Sequence, residues 1–166
     1  MSMSTIEQPR TLTIRPLTIE DLPLCVPFGQ AFFHEFQLRG TFNPPHFLKT
    51  WEVFVGQLGA TVLGLYTDEQ LIGGLGALVS PDVFTGERVA TEMFWYIDQQ
   101  QRTGTGALRL LRAFEAWGVS QGVTEMRLAH FMMKNNAQLQ RLYEHRGYVL
   151  LEQGYQKRVK GASLCQ

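Results

Sequence analysis

The 166-residue sequence predicts a mixed α/β (α+β) domain whose sheet has about six to seven strands, with a central parallel pair and about four flanking helices. Three observations point there. Stretches that alternate polar and apolar residues at period two interleave with stretches whose apolar residues recur every three or four positions. Residues 61–79 read as two strands joined by a polar turn. A glycine-spaced turn at 101–106 joins a strand directly to an amphipathic helix, the kind of crossover a parallel pair needs.

The elements follow in order. Thr11, Leu12, Thr13, Ile14 and Arg15 alternate and are halted by Pro16, giving a first strand. Thr18 caps a helix with Glu20 and Asp21 in its first turn, which runs to Phe36 with Pro23 and Pro27 as interruptions. Pro44 and Pro45 open a second helix on which Phe47, Leu48, Trp51, Phe54, Val55 and Leu58 share one face. The hairpin turns at Thr67, Asp68, Glu69 and Gln70, and after a polar connection at 80–87 the β-branched and aromatic run 89–98 forms a central strand. The next helix turns Ala107, Leu110, Leu111, Phe114 and Trp117 inward and Arg109, Arg112 and Glu115 outward, and stops near Gly118. Residues 123–130 form a strand. Asn135 or Asn136 caps a helix bearing Leu139, Leu142 and Tyr143, Gly147 stops it, and 148–151 with 155–159 close as a hairpin.

Composition narrows the function classes. With 45% hydrophobic and 18% charged residues, a chain of this length buries about two-thirds of its unfolded surface and needs no staple. Cys25 and Cys165 have neither CxxC nor Cys/His spacing, so no zinc site, other metal or disulfide framework is expected. Residues 1–10 form an expected disordered lead, 11–160 a single domain and 161–166 a tail. No cationic start with an apolar run and no stretch of about 18 apolar residues occurs, so signal peptide and membrane association are not expected and the cytoplasm is the expected compartment.

Net charge is zero, which excludes the basic excess a nucleic-acid binder needs. That zero sums unlike parts: residues 1–100 carry −6 and residues 101–166 carry +6. A basic solvent face explains this as well as a polyanionic ligand on the second part does.

Gln101, Arg102, Thr103, Gly104, Thr105 and Gly106 form the turn into the helix. Unpaired amides and the helix dipole at such a place favour an anion, although glycine turns also arise from dihedral need alone. No Lys follows Gly106, so a P-loop fails. A dinucleotide fingerprint is a weak competitor: Arg109 stands where its third glycine belongs, while Glu125 lies at the right distance for its acid.

The order Gln101-Arg102-Thr103-Gly104-Thr105-Gly106 resembles the Q/R-x-x-G-x-G/A signature of the GNAT superfamily of acyl-CoA-dependent N-acyltransferases. The stretch from Asn136 to Tyr148 resembles that family's N-x-x-A-x-x-L-Y-E-x-x-G-[FY] segment, and residues 11–21 its opening "IRP…ED". The likeness covers most of residues 11–159. It implies a GNAT-like fold and an N-acetyltransferase that moves an acetyl group from acetyl-CoA, its co-substrate, to a primary amine by direct attack. The backbone from Gln101 to Gly106 would hold the pyrophosphate. Phe94, Trp95 and Tyr96 would pair with the pantetheine arm, Tyr96 replacing the usual small aliphatic residue. Asn136 would cap its helix and contact pantetheine.

Acyl transfer needs a neutral amine, whereas an alkylamine has a pKa of about 10. By similarity Glu92 is the general base, and its other reading is an exposed or arginine-paired strand residue. Tyr143 matches the tyrosine that assists the departing thiolate. His130 is a reserve base and His34 borders the acceptor side; His46 and His145 read as exposed. Phe28, Phe32, Phe33, Phe36, Phe42, Phe47, Trp51 and Phe54 cluster in residues 28–54, where the family covers its acceptor, so some of these rings line a pocket for an amine with an apolar part. The acidic N-terminal part leans the acceptor towards a cation. The alternative is a catalytically inactive CoA-binding or interaction module of the same fold, a homodimer through the C-terminal strands included.

Overall fold

The computed structural model describes residues 11–102, 104–131 and 136–157. These fall into two compact units, one ending at Phe131 and one beyond it. The first unit runs β1 (Leu12–Pro16), a 3-10 turn (Ile19–Cys25), α1 (Val26–Glu35), α2 (Pro44–Gly56), β2 (Ala60–Thr67), β3 (Gln70–Pro81), β4 (Arg88–Ile97), a short 3-10 turn (Gln99–Gln101), α3 (Gly106–Ser120) and β5 (Glu125–Arg127). The strands form one sheet in the order β1-β2-β3-β4-β5. The first three pairings are antiparallel and β4–β5 is parallel.

Local chemistry explains most boundaries. Pro23 and Pro27 split the helix expected over 18–36: the 3-10 turn ends at Cys25 and α1 begins with Pro27 in its first turn, where its missing N–H costs nothing. Asp21 closes the 3-10 entry by accepting from the Thr18 amide at 2.9 Å while its carboxylate grips Arg15 at 2.7 and 2.9 Å. At α2, the Asn43 side chain accepts from the His46 amide at 3.0 Å. The β2–β3 turn is two residues long, and Asp68 and Glu69 both take positive φ, 46° and 67°, as a turn matched to strand twist requires.

Alternation on β2 divides the core between the two sheet faces. Val62 and Tyr66 join Leu17, Leu22, Trp51 and Leu71 beneath the 3-10 turn, α1 and α2. Leu65 faces α3, whose Leu110, Leu111 and Phe114 are fully buried. Beside Cys25 lies a void of about 20 Å³ with apolar lining, and burial pushes the Cys25 thiol up to about 11, so it packs as a small apolar group.

Four expectations are corrected. The sheet has five strands among the described residues, fewer than expected. Residues 148–157 carry no strand, although Val149, Leu150, Leu151 and Tyr155 are apolar and exposed; a period-two pattern makes a strand only with a partner to bond, and residues 158–159 lie outside the described set. The strand expected over 123–130 is confined to Glu125–Arg127. Gly118 does not stop α3, which continues to Ser120 and turns at Gly122 (φ 68°); Gly118 is buried where a Cβ would lie 2.8 Å from Met126 Cε, a packing role that sequence reading takes for a terminus.

The second unit holds α4 (Asn136–His145), ended as expected by Gly147 at φ 85°.

Candidate active site

The parallel β4–β5 pairing lasts three residues, Val89 with Glu125, Ala90 with Met126 and Thr91 with Arg127. Beyond it the two chains part. On β4 the next residue is Glu92, and its Oε2 accepts from the Ala129 amide at 3.3 Å across the opening. The register against β3 passes from Glu92–Ala77 to Phe94–Gly76, leaving Met93 as a bulge. Residues 92–97 therefore bond β3 on one side and, among the described residues, no strand on the other.

Glu92 is half-buried and has no cationic partner among the described residues. Burial pushes its carboxyl up to about 7, against the weaker downward pull of the Ala129 amide. This is neither the exposed nor the arginine-paired alternative.

At the far end of β4, the Asp98 amide donates to Ile72 O at 2.9 Å, and its side chain accepts from the Gln100 amide at 2.8 Å, fixing the short 3-10 turn. Gly104 has φ 86°, a left-handed value that favours glycine, and no described atom within 4 Å of where a Cβ would stand. Gly106 begins α3 with its back to Leu65 Cδ2, 2.9 Å from a built Cβ. Thr105 gives no side-chain cap, and the first bond closing the helix runs from the Arg109 amide to Thr105 O at 2.9 Å. The helix thus opens outward with amide donors on a bare backbone, a fit for an anion such as a diphosphate. Thr103 lies outside the described residues.

The Arg102 side chain turns away from this opening. Its Nε donates to Ile97 O at 2.8 Å, and its two terminal nitrogens meet the Glu35 carboxylate at 2.6 Å each. The guanidinium lies 4.9 Å from the Tyr96 ring centroid. Glu35 is held below the usual carboxylate range by this pair. The last turn of α1 is thereby tied to the loop before α3, a link of 67 residues with no local signal in the sequence.

Phe94 and Tyr96 point to the α1 side, with Phe32 5.0 and 6.0 Å away. Phe131, which sequence reasoning did not single out, sits 5.5 Å from Phe32 and 4.8 Å from Phe36. Phe33, Phe42 and Phe47 form a chain of rings behind, and Trp51 and Phe54 continue it along α2. His34 is exposed and His130 half-buried, and His46 and His145 are exposed as expected.

In the second unit, Tyr143 is buried, its ring 6.0 Å from Tyr148. Asn136 is the first residue of α4; Asn135 lies outside the described residues.

Several basic residues of the C-terminal part are committed internally. Besides Arg102, Arg109 donates to Leu12 O at 2.7 Å and Arg127 binds Asp82 at 2.9 Å. Part of the charge split is thus ion pairing between the two parts of the chain.

Among the described residues no helix is long and apolar enough to cross a membrane. The profile of the acetyltransferase (GNAT) family matches residues 28–148. No curated protein sequence matches. Among solved structures, the chain is similar to a transcriptional regulator from Bacillus halodurans, with a TM-score of 0.75 and 18% identity over 90% of this chain and 100% of that one. It is similar to an aminoglycoside N-acetyltransferase in complex with CoA, TM-score 0.72 and 18% identity over 94% of this chain and 99% of that one. A ribosomal-protein-alanine N-acetyltransferase from Brucella melitensis biovar Abortus gives a TM-score of 0.66 and 18% identity over 90% and 99%. At such identity the likeness is one of fold.

Proposed function

Because the chain belongs to the acetyltransferase (GNAT) family, we propose that it is an N-acetyltransferase that uses acetyl-CoA to acetylate a primary amine by direct attack, with Glu92 as general base. The half-buried Glu92 carboxyl at the point where β4 and β5 part carries this reading. Moving a proton from an alkylammonium near 10.4 to a carboxylate near 4.5 costs about 8 kcal/mol, and to one near 7 about 4.6 kcal/mol. Burial therefore makes Glu92 a better base by about 3 kcal/mol while leaving it largely ionised above pH 7.

Acetyl-CoA supplies the thioester whose C–S bond breaks as the C–N bond forms. The amides and bare backbone from Gln101 to Gly106 are assigned its diphosphate, with Arg102 contributing main chain while its side chain stays on Glu35. The backbone of Phe94, Trp95 and Tyr96 is assigned its amide-bearing arm. Glu92 accepts the ammonium proton. Tyr143, matched to the family segment, and Asn136 are assigned the thiolate proton and a polar contact to the arm.

Thermal shift with acetyl-CoA, CoA and a nicotinamide dinucleotide tests the donor. Ligand at 100 times Kd adds about 2.7 kcal/mol. Stabilisation by both CoA species and thiol release with an amine are expected. A response to the dinucleotide alone overturns the donor, and binding without thiol release across an amine panel leaves the inactive module as the answer.

A further inference from the structure

The opening between β4 and β5 has an aromatic wall on its α1 side. Beyond the Met93 bulge on β4 stands Phe94, paired with Gly76 where Glu92 pairs with Ala77, and two residues past Ala129 stands Phe131. Phe32 bridges them, 5.0 Å from Phe94 and 5.5 Å from Phe131, and Phe36 closes the group at 4.5 Å from Phe32 and 4.8 Å from Phe131. Phe131 remains 46% exposed within this cluster, so a ring face is held ready at fixed geometry rather than consumed by the core.

Charge selects the occupant. Between Val26 and Gly56 the acids are Glu35 and Glu52 and the bases Arg39 and Lys49, with His34 and His46. Glu35 is neutralised by Arg102, as Asp21 on the preceding turn is by Arg15, and Glu52 is exposed. The remaining acids of these elements, Glu20 and Glu52, are exposed, so no second half-buried carboxylate stands free of a cation there. Glu92 is half-buried, bonded to the Ala129 amide and without a cation among the described residues. One carboxylate beside a wall of rings suits one amine on an aromatic body.

We propose that the acceptor is a primary monoamine carrying an aromatic ring, seated with its ring against Phe32, Phe36 and Phe131 and its nitrogen towards Glu92. This rests on the reading of Glu92 as the base. The lean towards a cation drawn from the acidic N-terminal part is narrowed to a single ammonium.

The test is thiol release by the full chain with acetyl-CoA and 2-phenylethylamine, n-butylamine, spermidine and kanamycin. The expected kcat/KM for 2-phenylethylamine exceeds that of each other amine at least tenfold. Phe131→Ala raises its KM at least tenfold and leaves the KM for acetyl-CoA within twofold, and Phe131→Trp retains most of the preference. Phe131→Leu, which keeps apolar bulk without a ring, guards against a packing effect and is expected to resemble Phe131→Ala. Equal or faster turnover of butylamine, spermidine or kanamycin overturns the substrate class alone. No release with any of the four, with acetyl-CoA bound, overturns both this proposal and the reading of Glu92.

Discussion

Glu92→Gln separates the catalytic and energetic consequences of burying one carboxyl. Glutamine keeps the length of the side chain and an oxygen for the Ala129 amide, and removes the titration. In the folded chain the carboxyl titrates at about 7 rather than 4.5. Between these values the unfolded chain has lost its proton and the folded chain keeps it, so folding becomes less favourable by about 1.36 kcal/mol per pH unit as pH rises. The total is about 3 kcal/mol, present as a penalty above pH 7 and absent below 4.5. Glu92→Gln escapes it. At pH 8 the variant is expected to be more stable than the parent by up to about 3 kcal/mol, or roughly 6–12 °C in melting temperature for a domain of this size, and the two converge towards pH 4.5. Calorimetric melts at pH 5 and pH 8 measure the difference. In turnover, the parent's kcat falls about tenfold per pH unit below 7, while the variant loses that limb together with about 10²–10⁴-fold in rate. A variant no more stable than the parent at pH 8, or one that keeps the acid limb, refutes the reasoning.

Three other outcomes follow from the same geometry. Gly104→Ala forces a side chain onto φ 86° and is expected to cost about 1 kcal/mol of stability and to weaken acetyl-CoA binding, both read by thermal shift with and without ligand. Arg102→Lys keeps the charge but loses the two-pronged grip on Glu35 and the hold on Ile97 O; with the arginine partly exposed, a loss of about 1 kcal/mol is expected in denaturant melts, with a severalfold rise in the KM for acetyl-CoA. Phe114→Ala empties a site with no solvent exposure and is expected to cost about 3–5 kcal/mol, measured by urea unfolding at pH 7.

Elements whose signal is local were legible. The alternation of β1, the polar turn at Asp68 and Glu69, and the apolar spacing of α2 and α3 stand where the sequence put them, except that Leu58, expected on the α2 face, lies past the end of that helix and is exposed. Gly104 and Gly147 take the positive φ their positions suggested. The failures share a cause. Gly118 is small because Met126 presses on it, a contact invisible along the chain. Residues 148–151 have a strand's composition, and composition supplies no hydrogen-bonding partner. The charge split counted residues without knowing that Arg102 meets Glu35 and Arg127 meets Asp82.

The sequence by itself determined the order of elements from β1 to α4, the glycine-spaced entry to α3 and the family likeness, because capping, turn dihedrals and periodicity act over a few residues. Tertiary structure alone decided that Glu92 reaches the Ala129 amide 37 residues away, that Arg102 is held by Glu35 at 67, and that Phe131 closes on Phe32 and Phe36. Burial sets the proton affinity of a carboxyl, and burial is a property of what packs around it. For Glu92 that packing comes from chain far from it in sequence.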